Sequence, residues 1–181
     1  MANLIYIKAG DNQMINYSKK IMEPYALDVL INTCDEKYSK YFKPKENDFD
    51  YISINQDAVL EITMALPQQS QDLLEYDKSI QKNGVADEGK VNNSIYLNEK
   101  FLGVEGTISD VVNSIEYVVL RKEQKRKKRE KKLISQYELC ILSPQAFILD
   151  INDFKSIQKL ILNNKCGFNR LFIITSEYCT L

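Results

Sequence analysis

Apolar residues at the start of the chain change from strand-like to helical spacing and back. Residues 3–9 (NLIYIKA) form a β-rich apolar run that Gly10 ends. A helix is predicted next, with Pro24 near its end, and a second strand is predicted at Leu27 to Ile31. Together these patterns predict a compact βαβ unit.

The middle of the chain gives a less regular pattern. Val59, Ile62 and Leu66 recur at helical spacing, which predicts helices on either side of Pro67. Two glycines and clustered polar residues between 81 and 93 predict a loop. The elements predicted in this part are a short strand near Tyr51, helices at Gln56 to Leu66 and Gln69 to Ile80, and a hairpin at Ser94 to Leu97 and Phe101 to Leu102.

The last third of the chain repeats the alternation of helix and strand. Thr107 or Ser109 can cap a helix whose apolar positions, among them Val111 and Ile115, fit one face. The segments that follow are a strand at Tyr137 to Leu142, a helix at Asp150 to Leu162 and a buried strand at Leu171 to Thr175. Strands that alternate with helices predict an α/β architecture.

Two blocks of the sequence resemble the glutaredoxin and thioredoxin-like fold. Lys8-Ala9-Gly10-Asp11-Asn12-Gln13-Met14 occupies the frame of the family's Lys-x-x-Cys-x-x-Cys turn, with Asp11 and Met14 at the cysteine positions. Ile95-Tyr96-Leu97-Asn98-Glu99-Lys100-Phe101-Leu102-Gly103 is similar to the family's later strand and Asn-Gly-Lys-x-x-Gly segment, and Asn93 falls where its cis-proline stands.

This resemblance implies a thioredoxin-like βαβ…ββα sandwich with an extra C-terminal βαβ, and a doubly wound α/β arrangement is the alternative. It also implies that redox activity is lost, because an aspartate cannot perform thiol–disulfide exchange. The expected parts are an α/β domain at 1–120, a basic helical segment at 121–135, and a C-terminal βαβ extension at 136–181 that can join the same sheet.

Composition removes several classes of chemistry. The 181 residues fit one domain and include no histidine, which excludes Ser-His-Asp and Cys-His catalysis and histidine metal sites. The four cysteines have no CxxC pair, which predicts buried free thiols, and neither GxxxxGK[ST] nor GxGxxG is present. We therefore expect no cofactor and no metal.

No apolar run in the sequence approaches the length of about 18 residues that spans a bilayer. The sequence also begins without a basic segment followed by an apolar stretch. We therefore expect a soluble intracellular protein, cytoplasmic or nuclear, with no membrane partner.

Charge is concentrated in residues 121–132, which carry nine cations and two acids and leave 15 cations and 23 acids elsewhere. Such a segment can dock on nucleic-acid phosphate or on an acidic protein, and the alternative is a solvated helical connector. A continuous helix from Ser109 to Ser135 would be about 40 Å long, enough to leave the globule. The candidate binding residues are Arg121, Lys122, Lys125, Arg126, Lys127, Lys128, Arg129, Lys131 and Lys132.

Other candidate sites have simpler structural explanations. Paired carboxylates can perform acid–base work or hold Mg²⁺, and Ser143-Pro144 can mark a ligand loop at a strand end. Surface acids are usually only solvated, acids in a first helical turn suit the dipole, and Ser-Pro is an ordinary way to leave a strand. The carboxylate pairs are Asp35 with Glu36, Asp48 with Asp50, and Asp150 with Asp153.

These features predict a non-catalytic structural or binding protein that acts through its basic segment within a larger assembly. Its bias toward Lys, Asn, Ile and Tyr is found in some bacteria, protists and large DNA viruses, so a viral source is among those expected. Protein partners are expected. A sequence-independent nucleic-acid-binding protein is the first alternative, and an enzyme with an unrecognised α/β site is the second.

Overall fold

A computed structural model gives the arrangement of most of the chain. The structure describes residues 3–9, 19–45, 49–67, 94–97, 100–104, 107–129 and 134–176. The strands are β1 Asn3–Ala9, β2 Tyr41–Phe42, β3 Tyr51–Ser53, β4 Ala58–Met64, β5 Ser94–Leu97, β6 Lys100–Val104, β7 Gln136–Leu142 and β8 Arg170–Ser176. The α-helices are α1 Lys19–Thr33, α2 Ile108–Lys128 and α3 Ile151–Asn163, and 3₁₀ helices lie at Glu36–Lys40 and Pro144–Ile148.

The described strands form a six-stranded mixed sheet and a separate hairpin. The sheet has the order β1-β8-β7-β4-β3-β2, in which β1, β8, β7 and β4 are parallel and β3 and β2 are antiparallel to their neighbours. β5 and β6 pair with each other. The protein is therefore a mixed α/β protein, as the sequence predicted.

Helices cover both faces of the parallel strands. On one face Leu139 and Ile141 of β7 pack with residues of α2 and α3. On the other face Cys140 and Leu142 of the same strand pack with residues of α1. Successive side chains of a strand point to opposite faces, so a strand covered on both sides reads as a continuous apolar run, as β7 does.

Two sequence signals for helix starts are confirmed. The Thr107 hydroxyl accepts a hydrogen bond from Asp110 N, and the Asp110 carboxylate accepts one from Thr107 N, which closes a capping box at the start of α2. Asp150 and Asp153 form the same arrangement at the start of α3. Each acid also lies where it complements the helix dipole.

The strand predicted at Leu27 to Ile31 is wrong, because α1 runs through it to Thr33. The buried positions Met22, Ala26, Val29 and Leu30 follow helical spacing, and Pro24 lies inside the helix. The compact βαβ start expected from Leu27 to Ile31 is therefore absent.

Asp11, Asn12 and Asn93, which carry part of the thioredoxin-like resemblance, lie outside the described residues.

The helix predicted at Gln56 to Leu66 is also wrong, because Ala58–Met64 is strand β4. Val59 and Leu60 are both completely buried and belong to clusters on opposite faces of the sheet. A short apolar run fits helical and strand spacing alike, and pairing with β3 and β7 decides between them. The helix predicted at Gln69 to Ile80 lies outside the described residues.

The other predicted elements in the described residues are confirmed. The short strand near Tyr51 is β3, and the predicted hairpin is β5 with β6. The three elements predicted in the last third are β7, α3 and β8. Within the described part of the chain, no helix is both long and apolar enough to cross a membrane.

The three cysteines in the described residues are free thiols, as predicted, but they differ in exposure. Cys140 is fully buried, and burial raises the pKa of its thiol. Cys34 is exposed, so the expectation that the thiols are buried is wrong for this residue.

Candidate functional site

The basic run begins inside a core helix. α2 has 21 residues, so it is about 32 Å long, and Val111, Ile115 and Val119 bury it against the sheet. The helix ends at Lys128, and Ser135 N donates to Asp57 O next to the sheet. The expectation of a continuous helix to Ser135 that leaves the globule is therefore wrong.

Two cations of the run point inward to a carboxylate on the sheet. Glu61 lies in the middle of β4 and forms ion pairs with Lys122 and with Arg129, the latter at 3.5 Å. The side chains of Lys122 and Glu61 are 14% and 15% exposed, so this pair is largely shielded from solvent and salt. The two ion pairs tie the end of α2 to β4.

Glu123 forms a second inward cluster and is only 3% exposed. Arg126 donates from Nε at 2.8 Å and from Nη2 at 2.9 Å, and Gly167 N donates at 3.1 Å. Lys127 Nζ lies 3.6 Å from the same carboxylate. Burial alone would raise the pKa of Glu123, but the hydrogen bonds from Arg126 and Gly167 outweigh it and hold this pKa below its usual value.

Arg126 is enclosed by its surroundings. Its guanidinium lies 5.2 Å from the centre of the Tyr137 ring, a cation–π distance. A Cβ atom at Gly167 would overlap this guanidinium, so a glycine there leaves the space that Arg126 occupies. Lys122, Arg126 and Arg129, which we call the inner cations, line a small cleft with Glu61 and Phe168.

Arg121, Lys125 and Lys128 are exposed on the solvent side of the same helix, and we call them the outer cations. Within the described part of the chain none of them forms an ion pair. At 3.6 residues per turn they lie within an arc of about 60°, whose centre is about 100° from that of the inner cations and about 130° from that of the buried Ile115 and Val119. Slight burial lowers the pKa of Lys125, and the charges of Lys122 and Arg121 lower it further, while the charge of Glu61 opposes this shift without forming an ion pair.

The nine predicted binding residues therefore do not form one surface. Three are inner cations and three are outer cations, while Lys127 lies at the side of the helix and pairs with Glu123. Lys131 and Lys132 lie outside the described residues. Among the described residues of this set, only the outer cations combine exposure with the absence of an ion pair.

A second buried acid lies on the other face of the sheet. The side chain of Glu138 on β7 is fully buried and forms ion pairs with Lys37 at 3.3 Å and with Arg170 at 3.8 Å. Tyr41 donates its hydroxyl to Glu138 at 3.4 Å, and burial followed by the charge of Glu138 raises the pKa of Tyr41. These contacts join β2, β7 and β8, so the cluster has a structural role.

The carboxylate pairs singled out in the sequence serve local structure where they are described. Asp150 and Asp153 cap α3, and Asp35 accepts a hydrogen bond from Lys37 N at the start of a 3₁₀ helix. Asp50 accepts a hydrogen bond from Ile62 N of β4. Asp48 lies outside the described residues. In the described part of the chain no three Asp, Glu or Cys side chains are grouped so that they could hold a metal ion.

Ser143 and Pro144 follow β7 at the carboxyl end of the parallel strands, where open α/β sheets usually bind ligands. Ser143 Oγ is buried and has no hydrogen-bond partner among the described residues. The N-termini of α2 and α3, which would attract anions, are already occupied by the capping boxes of Thr107 with Asp110 and of Asp150 with Asp153.

Sequence reasoning missed the acids that divide the cations into two sets. Glu123 carried a readable signal, because it stands three and four residues before Arg126 and Lys127 on a helix. Glu61 did not, because it falls in a segment whose spacing predicted a helix.

Compared with known proteins, the chain matches no family model, no curated protein and no solved structure.

Proposed function

We propose that this is a non-catalytic binding protein that acts within a larger assembly by docking an acidic protein partner on the outer face of α2. The outer cations Arg121, Lys125 and Lys128 form this docking face. The observation that supports the proposal most is the separation of charge. Acids hold the inner cations in place, whereas the outer cations are exposed and form no ion pair in the described residues.

The dipole of α2 explains only part of this arrangement. Cations in the last turn of a helix are stabilised by the dipole, which accounts for Lys125 and Lys128. Arg121 lies two turns before the helix end, beyond the reach of this effect. Three like charges on one side of a helix repel each other, so a partner that supplies carboxylates would relieve the repulsion.

The number of outer cations favours a protein over nucleic acid. Each phosphate contact contributes a slope of about −0.9 to the dependence of log affinity on log salt, so three contacts give only about −2.7. The rest of the chain carries 15 cations and 23 acids, which would repel a long polyanion. A limited acidic surface on a protein fits three cations better, because it need not extend over the acidic remainder.

The direct test measures binding of a labelled polyglutamate peptide by fluorescence anisotropy. The test variant replaces Arg121, Lys125 and Lys128 by Gln, and the control replaces the exposed Lys40, Lys155 and Lys159 by Gln. Both variants lower the net charge by the same amount. We expect the test variant to lose at least about tenfold in affinity at ionic strength of about 0.1 M, and the control to stay within about twofold.

Equal losses in the two variants would mean that net charge alone governs binding, which would overturn the proposal. No measurable binding of polyglutamate by the unchanged protein would also overturn it. A duplex DNA of equal charge that binds more tightly than polyglutamate, with a loss in the test variant, would replace the protein partner by nucleic acid.

The non-catalytic part of the proposal is supported by the sequence, which has no histidine, no CxxC pair and no phosphate-binding glycine loop. The enzyme alternative stays a prediction.

The doubly wound arrangement is supported by the path of the chain. The chain first crosses the sheet from β1 to β4, and α1 lies on one face of the sheet. It then runs back through β7 to β8, and α2 and α3 lie on the other face. Right-handed crossovers that run in opposite directions place their helices on opposite faces. The thioredoxin-like resemblance stays a prediction.

A further inference from the structure

The docking face of α2 continues toward its N-terminus with an aromatic side chain. Tyr117 is 62% exposed and stands one turn before Arg121, about 6 Å along the helix axis. At 100° per residue, Tyr117 and the outer cations lie within an arc of about 80°. They therefore form one continuous row on the outer side of the helix.

Tyr117 differs from the other exposed apolar residues through its neighbours. A single exposed apolar side chain is ordinary on a protein surface. Tyr117 is followed on its own face by three cations without an acidic partner in the described residues, and Tyr and Arg are the side chains enriched in the central parts of protein interfaces. Its ring has no aromatic contact within the described part of the chain.

We propose that Tyr117 is the apolar contact of the docking face. The partner is then an acidic protein segment that carries an apolar side chain about one helical turn from its row of carboxylates. This inference rests on the proposed function, because it describes the partner of the same face. It also distinguishes such a segment from a uniformly charged polyanion, which offers nothing for the ring to cover.

The two kinds of contact respond differently to salt. Attraction between exposed charges weakens as ionic strength rises, whereas burial of apolar surface against a ring does not weaken in this way. The contribution of Tyr117 to affinity should therefore stay constant while the contribution of the outer cations falls.

The test uses two helical peptides of identical charge, each with glutamates spaced to match the outer cations. One peptide has Leu one helical turn from the glutamates, and the other has Ala at the same position. Each peptide is made in two versions, with the Leu or Ala before the row of glutamates or after it. Affinity is measured at ionic strengths of about 0.05 and 0.3 M for four proteins. These are the unchanged protein, Tyr117→Ala, Tyr117→Phe and the variant in which Gln replaces the three outer cations.

We expect the better Leu peptide to bind the unchanged protein about fivefold more tightly than its Ala counterpart at both salt concentrations. This advantage should disappear in Tyr117→Ala and remain in Tyr117→Phe, because the phenyl ring keeps the apolar surface. Circular dichroism of the variants checks that α2 is intact.

The failure of this inference is distinguishable from failure of the proposed function. If the Leu and Ala peptides bind equally well, and both lose affinity when the outer cations are replaced, the role of Tyr117 is overturned and the docking face stands. If replacing the outer cations changes the affinity of neither peptide, the docking face itself is overturned. An advantage of Leu that persists in Tyr117→Ala places the apolar contact elsewhere and overturns the inference.

Discussion

The inner and outer cations of α2 belong to one basic run but differ in their surroundings. Lys122, Arg126 and Arg129 face Glu61 and Glu123 next to the sheet, while the outer cations face solvent. Each outer cation precedes an inner cation by one position, so the two rows lie about 100° apart on the helix, and packing on the sheet brings the inner row, and not the outer row, within ion-pair distance of the acids. A run of charge that is uniform in the sequence therefore lies in two different environments in the fold.

We expect the inner set to stabilise the fold, and we propose the outer set for recognition of a partner. Ion pairs shielded from water are costly to break singly, because a buried charge is left without its partner. Exposed cations contribute little to folding and remain available to a partner. Substitutions that break the inner ion pairs should therefore lower the free energy of unfolding. Substitutions of the outer cations should instead weaken binding.

The largest effect on stability is expected from Glu123→Gln. This change leaves the charge of Arg126, whose side chain is 11% exposed, without its carboxylate. We expect the free energy of unfolding to fall by about 3 kcal/mol in urea titrations. A loss below about 0.5 kcal/mol would show that the cluster around Glu123 does not hold α2 to the sheet.

Gly167→Ala should act on the same cluster from the opposite side. The added Cβ overlaps the Arg126 guanidinium, so the arginine must move away from Glu123. We expect a loss of about 2 kcal/mol in unfolding free energy. Combined with Glu123→Gln the losses should be less than additive, because both changes break one interaction, and strict additivity would contradict this coupling.

Glu61→Gln should have a smaller effect of about 1–2 kcal/mol, because its partner Arg129 is 38% exposed and can be solvated when the pair is lost. The Lys122–Glu61 pair supplies most of the loss. Lys122→Met/Glu61→Gln should recover part of the stability lost in Glu61→Gln alone, because no unpaired charge then remains. Further destabilisation in the double variant would argue against the ion pair.

Acid should weaken the inner set through Glu123. A carboxylate whose pKa is lower in the folded protein stabilises it fully above the usual carboxyl pKa of about 4.5. The contribution is lost as pH falls through the lower folded-state pKa. Unfolding titrations between about pH 6 and pH 3 should therefore show a smaller decline for Glu123→Gln than for the unchanged protein. Parallel declines would contradict the lowered pKa.

The smallest effect on stability is expected from the outer cations. Replacing Arg121, Lys125 and Lys128 by Gln should change the free energy of unfolding by no more than about 0.5 kcal/mol, since they form no ion pair in the described residues. The same variant should lose binding to polyglutamate. A large loss of stability would place these residues with the inner set.

Local signals in the sequence predicted part of this molecule correctly. The strand QYELCIL, the helix that Asp150 caps and the hairpin at Ser94 could be read from spacing and capping residues. Ala58–Met64 could not, because its short apolar run fits both spacings and its pairing with β7 joins residues far apart in the chain. Residues 27–31 were misread because strand-forming residues in a helix take their conformation from packing.

The basic run was visible in the sequence, but its division was not. The separation depends on Glu61, which lies about 60 residues before Lys122 and meets it only through the packing of α2 on β4. The sequence pattern did not single out Tyr117 within the predicted helix. Its place beside the outer cations follows from the helical repeat once the buried side of α2 is known.

The most direct test of the division is lysine labelling of the folded protein. Brief treatment with an amine-reactive acetylating reagent, followed by peptide mapping, gives the reaction rate of each lysine. Lys125 and Lys128 should react about tenfold faster than Lys122, because Lys122 is 14% exposed and bound to Glu61. In Glu61→Gln, Lys122 should approach the rate of the outer lysines. Equal rates for the three lysines in the unchanged protein would contradict the division of α2 into an inner and an outer face.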